Sequence, residues 1–196
     1  MSDGAPVING RTCGTCTLCC KVLGVAELRK PQGQWCPHCA LGRGCKIYDA
    51  RPRGCRTFYC GYLIWQMMSN HDHWFPANSK MVVVSEMEDT CIAIYVDPGR
   101  PAAWQEKPYY SDVKHWSVLA SLQMHHVLVR IGKRTIVVFP DSEVDLGVVA
   151  DDERIITFEA STARGLALDA VKLKADDPRI AGSEPWKPIL RWPKRP

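Results

Sequence analysis

Long apolar runs are missing from this sequence. The longest candidates, "GYLIWQMM" and "IVVF", are sized for a core and fall well short of a bilayer. The opening "MSDGAPVINGRTCG" has no basic flank, no apolar h-region and no small-residue cleavage site, so no secretory signal is read there. Together these absences set the expectation of a cytoplasmic protein with no membrane partner. Catalytic signatures are also scarce: there is no G-x-G-x-x-G after a strand, no P-loop, no G-x-S-x-G and no C-x3-C-x2-C radical loop. No reaction or substrate is therefore named. Haem attachment is excluded at the motif level, because Thr17, Cys20 and Ala40, and never His, follow the C-x2-C pairs. Internal repeats and low-complexity tracts are absent too.

What the sequence has instead is sulfur. Of ten cysteines in 196 residues, nine fall before residue 61, and "CGTCTLCC" (13 to 20) holds four of them. In a reducing compartment such density points to metal binding or catalysis before it points to disulfides. The composition, 46% hydrophobic and 23% charged, is that of an ordinary globular chain, so a core can form. The net charge of +4 is uneven: residues 1 to 60 carry nine Lys or Arg against three acids, while the remainder is slightly acidic. Basic side chains beside metal-bound thiolates offset their negative charge. We prefer this reading to nucleic-acid binding, since the aromatic and Arg interleaving of a single-strand binder is undeveloped.

Along the chain, "KVLGVAEL" (21 to 28) reads as a helix of about two turns weakened by Gly24. "RKPQGQWCPHCALGRGC" reads as loop from its Pro and Gly. So little apolar matter cannot hold this region shut, and bound metal is the expected organiser. "TFYCGYLIWQMMSN" (57 to 70) reads as a mostly apolar helix. Strands are expected in "MVVVSEM" (81 to 87), "CIAIYV" (91 to 96), "EVDLGVVA" and "RIITFEA", with a hairpin over 127 to 139 turning at Gly132 and Lys133. A helix is expected over 108 to 124, opening at Pro108, with Val113, Trp116, Ala120 and Met124 on one face. The predicted fold class is α+β: a small Cys-rich coil and helix module (1–70), a mainly antiparallel β part with one or two helices (71–182), and a basic Pro-rich tail (183–196).

Cys13, Cys16 and Cys19 have the C-x2-C-x2-C spacing of the first three ligands of a [4Fe-4S] loop. The usual fourth position is Leu23, so a remote cysteine has to close the site. Cys36 and Cys39, in "CPHC", form a knuckle of the kind zinc uses, and paired with Cys13 and Cys16 they also draw a tetrathiolate zinc site. Cys45, Cys55 and Cys60 follow singly. Cys19 and Cys20, as neighbours, diverge by about 100° in a helix and are not expected to ligate one ion together, so one of them serves a second centre or is spare. Two four-thiolate centres with one thiol to spare, or one centre with several uncommitted cysteines, both fit this count. Cys91, inside a strand, is read as core. His71 with His73 and His125 with His126 are read first as surface pairs, the latter at a helix end; His38 is the better outside candidate.

The ordered set "CGTCTLCC" and "WCPHCALGRGCKIYDARPRGCRTFYC" resembles the YkgJ-like cysteine-cluster family, described as a zinc- or iron-chelating domain. The resemblance spans about residues 13 to 62. Cys13, Cys16, Cys19 and Cys20 match its opening block, Cys36 and Cys45 its middle, Cys55 follows "RP", and Cys60 closes the set; Cys39 is an addition. The resemblance implies metal chelation and an Fe-S oxidoreductase label without a defined reaction. One related group joins this domain to flagellin lysine methylation, which nothing in the rest of this chain suggests. Arg51, Arg53 and Arg56 around Cys55 would lower a thiol's pKa or raise a cluster's potential, although bracing of the loops is the preferred reading.

The leading expectation is a [4Fe-4S] protein with a redox or cluster-assisted role and an unspecified electron or protein partner. Its alternative is a zinc-stabilised module contacting protein or nucleic acid. A redox sensor with reactive spare thiols is the third.

Overall fold

A computed structural model describes residues 7, 8, 10–68, 70–86, 90–123, 125–163 and 165–180; the tail expected at 183–196 lies outside them. Glycine, proline and scattered cysteine keep the first part in short pieces. One helical turn, α1 (Cys19–Val22), stops at Leu23, whose backbone is extended, and a 3-10 turn at Ala26–Leu28 follows. The two-turn helix expected over 21 to 28 is therefore broken next to Gly24. Within the expected loop, β1 (Cys39–Ala40) and β2 (Gly44–Cys45) pair in a miniature hairpin that sets Cys39 opposite Cys45. Single turns α2 (Arg53–Arg56) and α3 (Gly61–Ile64) come next.

The single apolar helix expected over 57 to 70 does not form. Trp65 leaves the helix in an extended conformation and folds its ring back over Gly61, and a 3-10 turn at Gln66–Met68 completes the segment. The physical reason is that its apolar side chains serve two cores. Leu63 packs on one side of a sheet, while Met68 packs on the other. After a 3-10 turn at Asp72–Trp74, α4 (Pro76–Ser79) delivers the chain into that sheet.

β-branched runs then form β3 (Met81–Glu86) and β4 (Cys91–Val96). The helix α5 (Tyr109–Ser121) crosses over to β5 (His126–Ile131), which turns through Gly132, at φ +58°, and Lys133 into β6 (Arg134–Val138). β7 (Glu143–Val148) completes a sheet of order β3-β4-β5-β6-β7, antiparallel except for the parallel β4–β5 pair that α5 connects. In α5 the expected face is buried at Val113, Trp116 and Ala120; Met124 lies outside the described residues, and Pro108 precedes the helix as its cap. His126 begins β5 instead of closing the helix.

Both faces of the sheet are covered. Met81, Val83, Ile94, Val96, Val127, Val129, Ile136 and Val138 pack under α5 with Trp74, Trp104 and Trp116. On the opposite face, Val82, Ala93 and Tyr95 receive Leu18, Val22 and Leu63 from the cysteine-rich part. Beside them, Cys91, Leu128 and Val137 are covered by a second hairpin, β8 (Glu153–Thr162) with β9 (Gly165–Lys174), through Ala170. The fold class is α+β, with substantial, mostly antiparallel sheet. No helix among the described residues is long and apolar enough to cross a membrane.

Candidate metal centre

Two of the C-x2-C elements, Cys13–Cys16 and Cys36–Cys39, are turns closed by their own backbone. The N–H of Cys16 donates to the carbonyl of Cys13 (2.8 Å), and that of Cys39 to the carbonyl of Cys36 (3.0 Å). A further bond, from the N–H of Cys36 to the carbonyl of Cys20 (3.0 Å), ties the second turn to α1. The β1–β2 pairing brings Cys45 back to Cys39, and α2 adds Cys55 from a fourth direction. Cys13, Cys16, Cys19, Cys20, Cys36, Cys39, Cys45 and Cys55 consequently line one cavity of about 330 Å³, with His38 and Arg51 in its wall. Cys60, at the start of α3, lines an adjoining cavity of about 110 Å³ together with Cys13, Cys16, Cys19 and Cys55. All ten cysteines are free thiols.

The neighbours Cys19 and Cys20 both line the large cavity and share a hydrogen bond. One turn of helix at a wide cavity's edge leaves both side chains on its wall. Cys91 is apart from this group, buried between the sheet and the β8–β9 hairpin.

Burial governs the electrostatics. It pushes Cys13, Cys16, Cys39 and Cys55 above the ordinary thiol value and Cys60 up to about 11. Cys20 is pushed strongly up, first by the hydrogen bond with Cys19 and then by burial. Thiols crowded this way hold their protons until a cation replaces them. The trend is opposed at Cys13 by the Arg51 guanidinium, at Cys16 by the backbone N–H groups of Leu18 and Ala77, and at Cys20 by Cys39 and Lys30.

Of the two readings of the arginine cluster, lowering of the Cys55 thiol pKa is not found. Its thiol is held up by burial and by Cys20, Cys36 and Cys45. Arg53 and Arg56 are exposed, while Arg51 stacks on Tyr48 (3.5 Å) and donates to the Tyr48 carbonyl (2.8 Å). Bracing is what Arg51 does.

Lys30 was not anticipated. Only 6% exposed, it donates to the carbonyls of Lys21 (2.8 Å) and Leu23, closing the end of α1. Burial lowers its pKa, and Cys36, Cys20, Cys19 and Cys55 work against that lowering. It is a buried cation set against the cysteines. Lysine preceding proline in a loop carries no sequence signal for burial, which depends on how the chain returns. His71 and His73 lie apart from the lining of both cysteine cavities, against Asp112 of α5.

Cysteine clustering of this kind is compatible with metal binding. In comparison with known proteins, no family model, no curated protein and no solved structure matches this chain.

Proposed function

We propose that the chain is a cytoplasmic metal-binding protein whose cysteine cavity holds an iron–sulfur cluster: the resemblance to the YkgJ-like family implies metal chelation, and the spacing of Cys13, Cys16 and Cys19 points to the [4Fe-4S] type. The observation that carries this reading is the convergence of eight thiols from four chain segments on one cavity. A soft, all-sulfur donor set selects Fe–S or zinc over hard cations. The C-x2-C-x2-C spacing of Cys13, Cys16 and Cys19 is the sequence feature that favours the cluster.

Cys13, Cys16 and Cys19 would supply three ligands, and Cys55 or Cys60, both beside them in the smaller cavity, the fourth. Such a cluster supplies one-electron redox chemistry. Lys30 and Arg51 would offset its charge. The second reading, zinc, is favoured by the Cys36–Cys39 turn running into a hairpin that returns Cys45, which is a knuckle geometry.

Protein purified without oxygen tests both. A brown solution with acid-labile sulfide is expected, with metal and sulfide lost in Cys13→Ser, Cys16→Ser and Cys19→Ser and retained in Cys91→Ser. Colourless protein with stoichiometric zinc and no sulfide transfers the assignment to the second reading; metal-free protein defeats both.

A further inference from the structure

Outside the cysteine cavity, the chain brings two imidazoles and one carboxylate together. His71 and His73 flank Asp72 around a single 3-10 turn, and Asp112 comes from the first turn of α5, far away in sequence. The Nε2 of His73 lies 2.8 Å from Asp112 Oδ2, and the Nδ1 of His71 lies 3.7 Å from the same oxygen. The three ligand atoms all fall within 4.8 Å of one another.

A purely structural account explains part of this. A protonated His73 Nε2 would hydrogen-bond the carboxylate, whose Oδ2 also accepts from Trp74 Nε1 at 2.8 Å, and the loop would be pinned to α5. That account leaves out His71. Its Nδ1 is buried and has no hydrogen-bond partner, and 3.7 Å from a carboxylate oxygen is too long for one. The same separation suits two ligands of one ion, each with a bond of about 2.0–2.2 Å.

We propose that His71 Nδ1, His73 Nε2 and the Asp112 carboxylate form a second, sulfur-free site for a divalent first-row transition ion, distinct from the cysteine centre. The surroundings are those of a prepared site. Trp74, 1% exposed and packed against Trp116 (4.7 Å between ring centres) and Tyr109 (5.1 Å), fixes the carboxylate through its indole N–H. The Tyr109 hydroxyl donates to the His73 carbonyl (3.1 Å), and buried Arg11 reaches the Met68 carbonyl and Asp72 Oδ1 (3.1 Å), holding the loop from behind. Partners of this kind orient ligands and raise affinity. Two imidazoles and one carboxylate suit zinc, iron, nickel or copper, whereas magnesium and calcium prefer oxygen alone. Three protein ligands leave coordination positions open, and the imidazoles are about one-third exposed, so water or a small ligand can reach the ion.

Cobalt(II) is the probe, added to full-length protein that already carries its cysteine-bound metal. One further equivalent is expected to bind, with weak visible bands, no sulfur-to-cobalt charge-transfer absorption, and paramagnetically shifted imidazole signals. Affinity should fall by about tenfold or more in both His71→Gln and Asp112→Asn. The asparagine oxygen can still accept from Trp74, and His71 makes no hydrogen bond through Nδ1, so both variants should melt like wild type without cobalt. Absence of the extra equivalent, a thiolate spectrum, or unchanged affinity in either variant overturns the site. None of these outcomes depends on which metal the cysteines hold.

Discussion

Cys91 and Cys60 are both buried thiols, yet their surroundings give them opposite uses. Cys60 opens onto a sulfur-lined cavity, whereas Cys91 is enclosed by Leu128, Val137, Phe139 and Ala170. Burial raises the Cys91 pKa to about 12, with Glu86 adding to the rise and Arg130 opposing it. A thiol that holds its proton more tightly when folded contributes stability that is complete below its unfolded pKa, near 9.0, and is lost as pH rises towards 12. Cys91→Ala is therefore expected to be less stable than wild type at neutral pH, by about 1 kcal/mol, with the gap narrowing between pH 9 and 12 in thermal melts. A gap that is constant or widens across that range would contradict the enclosure. Tyr95 is also raised, chiefly by burial and Glu86 with Cys91 the smallest contributor, so its titration is largely shared by the two proteins. The core role of Cys91 was legible because a β-branched run surrounds it in sequence. The partnership of His71 with Asp112 was not, since nothing local links a loop histidine to the first turn of a helix some forty positions later.

Among elements, α5, β7 and β8 form where they are expected, and β3 to β6 read most plainly. β3 to β6 lie in a sheet covered on both sides, so their sequences are nearly continuous apolar runs bounded by turn residues. In β9, apolar side chains fall on both parities (Leu166, Leu168, Val171, Leu173) between charged ones, and Leu166 is 71% exposed, which leaves no period to detect. The 57 to 70 segment misleads for the opposite reason: an unbroken apolar run looks helical, but its side chains are divided between two cores. Gly61 is the joint. A Cβ there would lie 2.8 Å from the Trp65 ring, closer than real contacts allow. Gly61→Ala should lose about 1–3 kcal/mol, despite alanine's better helix propensity, because Trp65 must be displaced. Thermal melting checks this; a higher midpoint would mean that Trp65 moves freely.

At the scale of the whole molecule, the cysteine-rich part is attached to the sheet through one apolar cluster and the Lys21–Asp97 ion pair, while the sheet has two further cores. If metal organises the former, chelation should separate them. Amide exchange is expected to accelerate over residues 13–60 after chelation and to remain slow in β4, β5 and β6. Uniform acceleration, or none, would mean that the ion has no such part in folding. The cysteine positions themselves were legible down to the residue, because thiol spacing is a local property. The cavity they share was not, because it depends on the return of Cys45 and Cys55 and on Lys30 beneath.

The contact between Leu18, Val22 and the sheet also sets an order of events at the ribosome. The thiols of residues 13 to 60 are synthesised first, but Ala93 and Tyr95, on which Leu18 and Val22 rest, arrive much later. Chains lengthen at about 5–20 residues per second. For several seconds in every round of translation, the nascent protein carries nine sulfurs without the floor that supports them, and a reducing milieu has to protect them until that floor is made.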